Sequence, residues 1–337
     1  MVSKDSSGPS VSAKLFSQMG SVIGWRDRQQ YCGSGEHWDQ LTAAFLGNIM
    51  SPRRNGRCNM QMKEMGIYLL NDGAVKVDGG SIFGQVPRIA WETMVKPDRK
   101  HRVRWGINSL LIQANGKNIL CDVGAGSKHD DEERETTGLN ANRLKKELRD
   151  MDLAPKDIDY VVLTHLHFMH AGGGTRRVRN GDTVPTFPQA RYLVQREAWE
   201  DALTPNELGK GSFRSEDYLP LEKAGQIDFL EGDYEIVPGV NIKVTGGHCR
   251  GHQVVIAEQL GSRFAYLGDL VPSAYHLGLP TISSLDQFPE NTLEQKRDLL
   301  ATAERDGWLL LFSHGIETRG GYLQRRNGKL TLNPVTL

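Results

Sequence analysis

The sequence predicts a layered α/β sandwich, and three observations predict it. Short apolar runs bounded by turn residues recur along the chain. Amphipathic helical stretches lie between them. Histidines and one aspartate fall directly after several of these runs, at strand ends where the loops of open α/β sheets converge.

Patterned sequence begins near Met62, and residues 1–60 mix Ser, Gly, Gln, Arg and Asn without periodicity. This predicts a weakly ordered extension over 1–60 and one domain over 61–337, with Met60 or Met62 an alternative start. From Ile67 apolar runs appear, and Asp78-Gly79-Gly80-Ser81 predicts a turn. Ile107–Gln113 and Asn118–Val123 flank Asn115-Gly116, a hairpin signal. Leu144 and Leu148 share a face within Asn140–Met151, which predicts a helix capped by Asn140. Pro155 and Asp157 end it and lead into the buried strand Tyr160–Leu163, giving a βαβ-like unit. Arg191–Val194, Asn241–Thr245, Gln253–Ala257, Arg263–Leu267 and Trp308–Phe312 read as further strands, and Thr292–Arg305 as a helix. No internal repeat points to a solenoid.

A chain of 337 residues can bury a full α/β core. Its 41 basic and 41 acidic residues balance, so no global field favours nucleic acid or an anionic membrane. Mean hydropathy is −0.46, and no apolar stretch reaches the roughly 20 residues that span a bilayer. The start lacks the apolar core of a signal peptide, so the expectation is a cytoplasmic protein. Cys32, Cys58, Cys121 and Cys249 show no paired spacing and read as reduced thiols. Cys249 stands out because it follows a candidate ligand.

The chemistry sits in Thr164-His165-Leu166-His167-Phe168-Met169-His170-Ala171-Gly172-Gly173. Three imidazoles after a buried strand each need a partner, and a metal ion supplies one. The glycines let the backbone turn tightly beside them. Gly247-His248, Gly268-Asp269 and Ser313-His314 end three further strands. The candidate ligands are therefore His165, His167, His170, His248, Asp269 and His314.

This pattern resembles the metallo-β-lactamase superfamily. Asp78-Gly79-Gly80, Gly268-Asp269-Leu270-Val271-Pro272 and the segment around Glu294-Gln295-Lys296-Arg297 resemble the branch of acyl-homoserine lactonases and methyl parathion hydrolase, over about residues 65–332. The resemblance implies a four-layer αββα sandwich with one or two Zn2+ ions, Mn2+ or Fe2+ being alternatives. It places His165, His167 and His248 on the first metal, His170 and His314 on the second, and Asp269 between them, with Asp269 and His170 at the catalytic positions. It implies a hydrolase that uses a metal-bound hydroxide on a lactone or ester, a small-molecule partner and a homodimer. It also implies that Asp122 lies beneath the site and orients the ligands, where the residues alone allow a simple turn.

Met169 departs from that pattern, because the family carries a ligating Asp there. A thioether replaces neither the charge nor the proton chemistry of a carboxylate toward a hard cation. The expectation is a mononuclear or unequally filled site with slowed hydrolysis; the alternative is that another acidic side chain reaches in. His252 reads as structural. Phe83, Trp91, Phe168 and His276 are core or cleft residues, and the basic stretches at Arg99–Arg104 and Arg176–Arg179 read as solvated surface. A phosphotriesterase, a mononuclear iron dioxygenase and a non-catalytic binding protein are the competing functions.

Overall fold

In the computed structural model, which describes residues Met65–Leu337, two strands of 13 residues form a long hairpin, β1 (Gly66–Asp78) and β2 (Arg102–Ala114). Their connection holds α1 (Gly79–Phe83) and α2 (Arg88–Trp91). The turn expected at Asp78–Ser81 is instead a helix start: Asp78 Oδ1 accepts from Ser81 N at 2.8 Å, satisfying a first-turn N–H. Opposite Asn108 and Ile107, the pairing of β1 skips Asp72. That bulged residue turns inward, and its carboxylate accepts from the N–H groups of Ala125, Asn142 and Leu144.

The expected second hairpin forms between β2 and β3 (Lys117–Cys121). Asn115 (φ 52°) and Gly116 (φ 77°) adopt the left-handed conformations a two-residue turn needs. After α3 (Asp131–Thr137) comes α4 (Leu144–Asp150), which buries Leu144 and Leu148 as their spacing predicts. It begins four residues later than expected, and Asn140 does not cap it. Asn140 instead exchanges backbone hydrogen bonds with Ala74 on β1, a tertiary pairing that outcompetes the local cap. Next come β4 (Tyr160–Val162), α5 (Phe168–Ala171), the small hairpin β5 (Thr175–Arg177) and β6 (Thr183–Pro185), and β7 (Arg191–Gln195). Then follow α6 (Arg196–Leu203), α7 (Ser215–Lys223) and β8 (Ile227–Leu230). The first sheet has the order β1-β2-β3-β4-β7-β8, with β3, β4, β7 and β8 parallel, so β3-α4-β4 is the expected βαβ unit.

The second sheet comprises β9 (Tyr234–Val237), β10 (Val240–Val244), β11 (Gln253–Gln259), β12 (Ser262–Tyr266), β13 (Leu309–Leu311), β14 (Gly320–Arg326) and β15 (Lys329–Pro334). These run in the order β15-β14-β13-β12-β11-β10-β9, with α8 (Pro289–Asp306) leading into β13. Leu144, Trp199, Tyr218 and Leu221 pack the helices on the first sheet, against Leu111, Leu120 and Val161. Leu299, Leu300 and Ala303 seat α8 on the second, against Ala265 and Leu310. Helices on one sheet and on the other are consistent with the expected four-layer αββα order. The sheets meet through polar groups as well: Asn108 Nδ2 donates to the carbonyls of Phe312 and Gly315. No helix among the described residues is long and apolar enough to cross a membrane. The extension read over 1–60 lies outside the described residues.

Candidate metal centre

The six candidate ligands, spread from position 165 to position 314, meet at one end of the two sheets. His165 and His167 follow β4, and the tight start of α5 places His170 beside them. Gly173 permits this, since a Cβ there would stand 1.9 Å from the carbonyl oxygen of Val123. His248 follows β10, Asp269 follows β12 and His314 follows β13.

Asp269 lies between two groups of imidazoles. Its Oδ2 is 3.7 Å from His165 Nε2 and 3.3 Å from His248 Nε2, while Oδ1 is 3.4 Å from His170 Nε2 and 3.0 Å from His314 Nε2. His248 Nε2 lies 3.1 Å from His167 Nδ1, and His170 Nε2 lies 3.2 Å from His314 Nε2. His165, His167 and His248 form one cluster able to hold a cation; His165, His170 and Asp269 form another.

The outer nitrogens explain why the inner ones face each other. His170 Nδ1 bonds Asp122 at 2.7 Å, His248 Nδ1 bonds Asp286 at 2.6 Å, and His314 Nδ1 bonds the carbonyl of Gly106 at 2.6 Å. Each partner is an acceptor, so each Nδ1 carries the proton and each Nε2 presents its lone pair inward. Two such lone pairs 3.2 Å apart, as on His170 and His314, repel unless positive charge lies between them. His165 Nε2 and His167 Nε2 are buried with no hydrogen-bond partner. Orphaned nitrogens, inward lone pairs and one straddling carboxylate fit a divalent cation such as zinc, whose usual donors are these.

The electrostatics agree. Burial pushes His165 and His167 well below their ordinary pKa, which keeps them neutral as ligands must be. Burial opposes charge on Asp269 too, yet His170, His314 and His248 hold its pKa well below the carboxylate range. Burial also works against a charged His170, but Asp269 and Asp122 overcome it and push its pKa up to about 10, so a proton or a cation is drawn to the position its Nε2 faces. The pocket is thus built to attract positive charge.

Asp122 holds the place expected of it. Beyond His170 it accepts from Thr164 N and from Tyr266 Oη at 3.0 Å. His252 is structural, as expected: its Nε2 accepts from Asp269 N at 3.0 Å, so its Nδ1 donates to Thr245 Oγ1 at 2.7 Å and neither nitrogen is free. Burial, then the charge on His248, push its pKa down to about 3. Phe83, Trp91 and His276 are core, with Phe83 stacked between the other two. Phe168 lies under the Arg214 guanidinium. Asp286 is the residue that sequence reasoning missed. Its partner His248 is 38 positions away, and no local pattern marks it.

Met169 is half-buried on the wall of a pocket of about 320 Å3, including its open mouth, whose other apolar lining is Val77, Ile82, Trp105, Pro272 and Leu285. No carboxylate among the described residues takes its place. Asp122 and Asp286 are spent on the outer nitrogens of His170 and His248, which leaves Asp269 as the acid in the metal-capable clusters.

Comparison with known proteins defines the class. The metallo-beta-lactamase superfamily pattern matches residues 102–314, and the chain belongs to that superfamily. It is similar to the N-acyl homoserine lactonase AiiA of Bacillus thuringiensis subsp. kurstaki, at 31% identity over 178 residues, 52% of this chain and 63% of that relative. It is also similar to the N-acyl homoserine lactonase AttM of Rhizobium radiobacter, at 29% over 160 residues, 45% of this chain and 55% of the relative. The matches thus span less than two thirds of these curated relatives. Among solved structures, a probable metal-dependent hydrolase from Staphylococcus aureus superposes with a TM-score of 0.73 at 25% identity, covering 82% of this chain and 100% of that one. The fold is shared with AidC, a dizinc quorum-quenching lactonase, with a TM-score of 0.67 at 19% identity, over 82% of this chain and 97% of AidC.

Proposed function

We propose that the protein is a metal-dependent hydrolase of lactones or esters, with a metal centre filled unequally because Met169 stands where a carboxylate would complete the second site. The observation that supports this most is Asp269, one carboxylate set between two groups of imidazoles. His165, His167, His248 and Asp269 would hold the first cation, zinc by donor type. His170, His314 and Asp269 would hold a second more weakly, having lost an anionic ligand. Cations bound there supply a nucleophilic water near neutral pH and polarise the scissile carbonyl.

The chain's own residues do the rest. Asp122, Asp286 and the Gly106 carbonyl fix the imidazoles in their ligating tautomers. Val77, Ile82, Trp105 and Leu285 receive the apolar part of a substrate and exclude water from it. Met169 extends that apolar wall and offers no proton to a departing alkoxide, so turnover is slow on substrates with poor leaving groups. The lactonase names among the relatives favour a lactone substrate.

Two measurements test this. Elemental analysis of the purified protein should find close to one tightly held zinc per chain; two held equally tightly would defeat the unequal site. Hydrolysis of an N-acyl homoserine lactone, an aryl ester and a phosphotriester should favour the first two, and Met169→Asp should raise lactone turnover roughly tenfold or more. Activity on the phosphotriester alone would overturn the substrate assignment.

A further inference from the structure

Behind the loop that carries His170 lies a second pocket, of about 290 Å3 including its open mouth, whose lining includes Ser127, Asn142, Lys145, Gly173, Arg176 and Thr186. Lys145 on α4 and Arg176 on β5 are both half-buried. Among the described residues neither side chain has an ion pair or hydrogen bond. Their neighbours do: Arg177 pairs with Glu216 at 3.0 Å, and Lys128 with Asp217 at 2.9 Å. Two cations left over in one concavity repel each other unless an anion joins them.

Partial burial, then the charge of Arg176, and to a lesser extent that of Lys128, hold the Lys145 pKa below its ordinary value against the pull of Asp72. Thr186 is 4% exposed, and its Oγ1 has no hydrogen-bond partner. Asp72 also lines the pocket, but its carboxylate is occupied by the N–H groups of Ala125, Asn142 and Leu144.

We propose that this pocket binds a small inorganic oxyanion of the sulfate or phosphate type, held between the Lys145 ammonium and the Arg176 guanidinium with Thr186 Oγ1 donating to it. A guanidinium fork and an ammonium point charge are the usual pair of side chains for such anions. The pocket's floor, Gly173 and Val123, is the backbone that braces the ligand loop: Val123 N donates to the His170 carbonyl at 2.8 Å, and Gly173 N to the Gly124 carbonyl at 2.9 Å. A bound anion therefore stabilises the folded chain from behind the metal centre.

The test is calorimetric titration of the full-length, metal-loaded protein with sodium sulfate, against sodium chloride at equal ionic strength. The same titration is run on Lys145→Gln/Arg176→Gln and on Thr186→Val. Saturable sulfate binding is expected in the native protein, weakened roughly tenfold or more in the double variant and less in Thr186→Val. Both cationic side chains are half-exposed and unpaired, so the double variant should fold; Arg176→Gln alone gives the same comparison. Binding at the metal centre would survive in every variant, because none of these positions touches that site. Equal affinity in native and variant proteins, or no saturable binding at all, would overturn the proposal.

Discussion

Removing the Asp286 carboxylate should weaken the metal centre without touching any proposed ligand. Asp286 Oδ1 lies 2.6 Å from His248 Nδ1, and both side chains are about 2% exposed, so solvent cannot replace the bond. In Asp286→Ala the ring keeps its place in sequence but loses the acceptor that fixes its tautomer and direction. Loss of such a partner costs about 10- to 100-fold in metal affinity, or roughly 1.4 to 2.8 kcal/mol. The metal-free protein should also lose about 1.5–3 kcal/mol of stability, the usual worth of a buried charge-assisted hydrogen bond. Asp286→Asn, which can still accept from Nδ1–H but carries no charge, should fall between native and Ala. Competition with a chromogenic chelator measures zinc affinity, and chemical denaturation of the chelated protein measures stability. Zinc affinity within about twofold of native in both variants would refute the idea that Asp286 orients His248.

Three further outcomes follow from the packing. Burial pushes His276 down to a pKa of about 4, whereas in an unfolded chain it titrates near 6.5. Stability from this group is therefore complete above about pH 6.5 and lost as pH falls toward 4, a difference of roughly 3 kcal/mol. Unfolding free energies of native and His276→Gln should converge across that window, and parallel curves would contradict it. Lys296 is fully buried on α8, and its Nζ donates to the carbonyls of Gly278 and Thr281 at 2.7 and 2.8 Å, pinning the segment that ends in Asp286. Lys296→Met strands both carbonyls and should cost about 2–4 kcal/mol, read by denaturation, with a parallel drop in zinc affinity. Gly173→Ala would drive its Cβ to 1.9 Å from the Val123 oxygen, so the loop bearing His170 must shift. It should lower the thermal midpoint by several degrees and cut activity further than stability alone explains.

Much of the architecture was legible because it rests on local periodicity. The hairpin at Asn115-Gly116 and the paired leucines of α4 state their structure within a few residues. The six candidate ligands were legible for a related reason, each lying just beyond an apolar run whose strand end could be anticipated. Other features were decided by contacts between distant segments. Asn140 carried the composition of a helix cap, yet backbone pairing with Ala74 on β1 claimed it. Asp286 showed no pattern, because its role exists only when the loop before α8 reaches His248. Sequence determined which groups could hold a cation. Tertiary structure decided how they meet: one carboxylate between two sets of lone pairs, with a thioether on the wall and two unpaired cations behind it. Side-chain chemistry is written residue by residue, while a distance of 3 Å between positions 144 residues apart is set only when both sheets close.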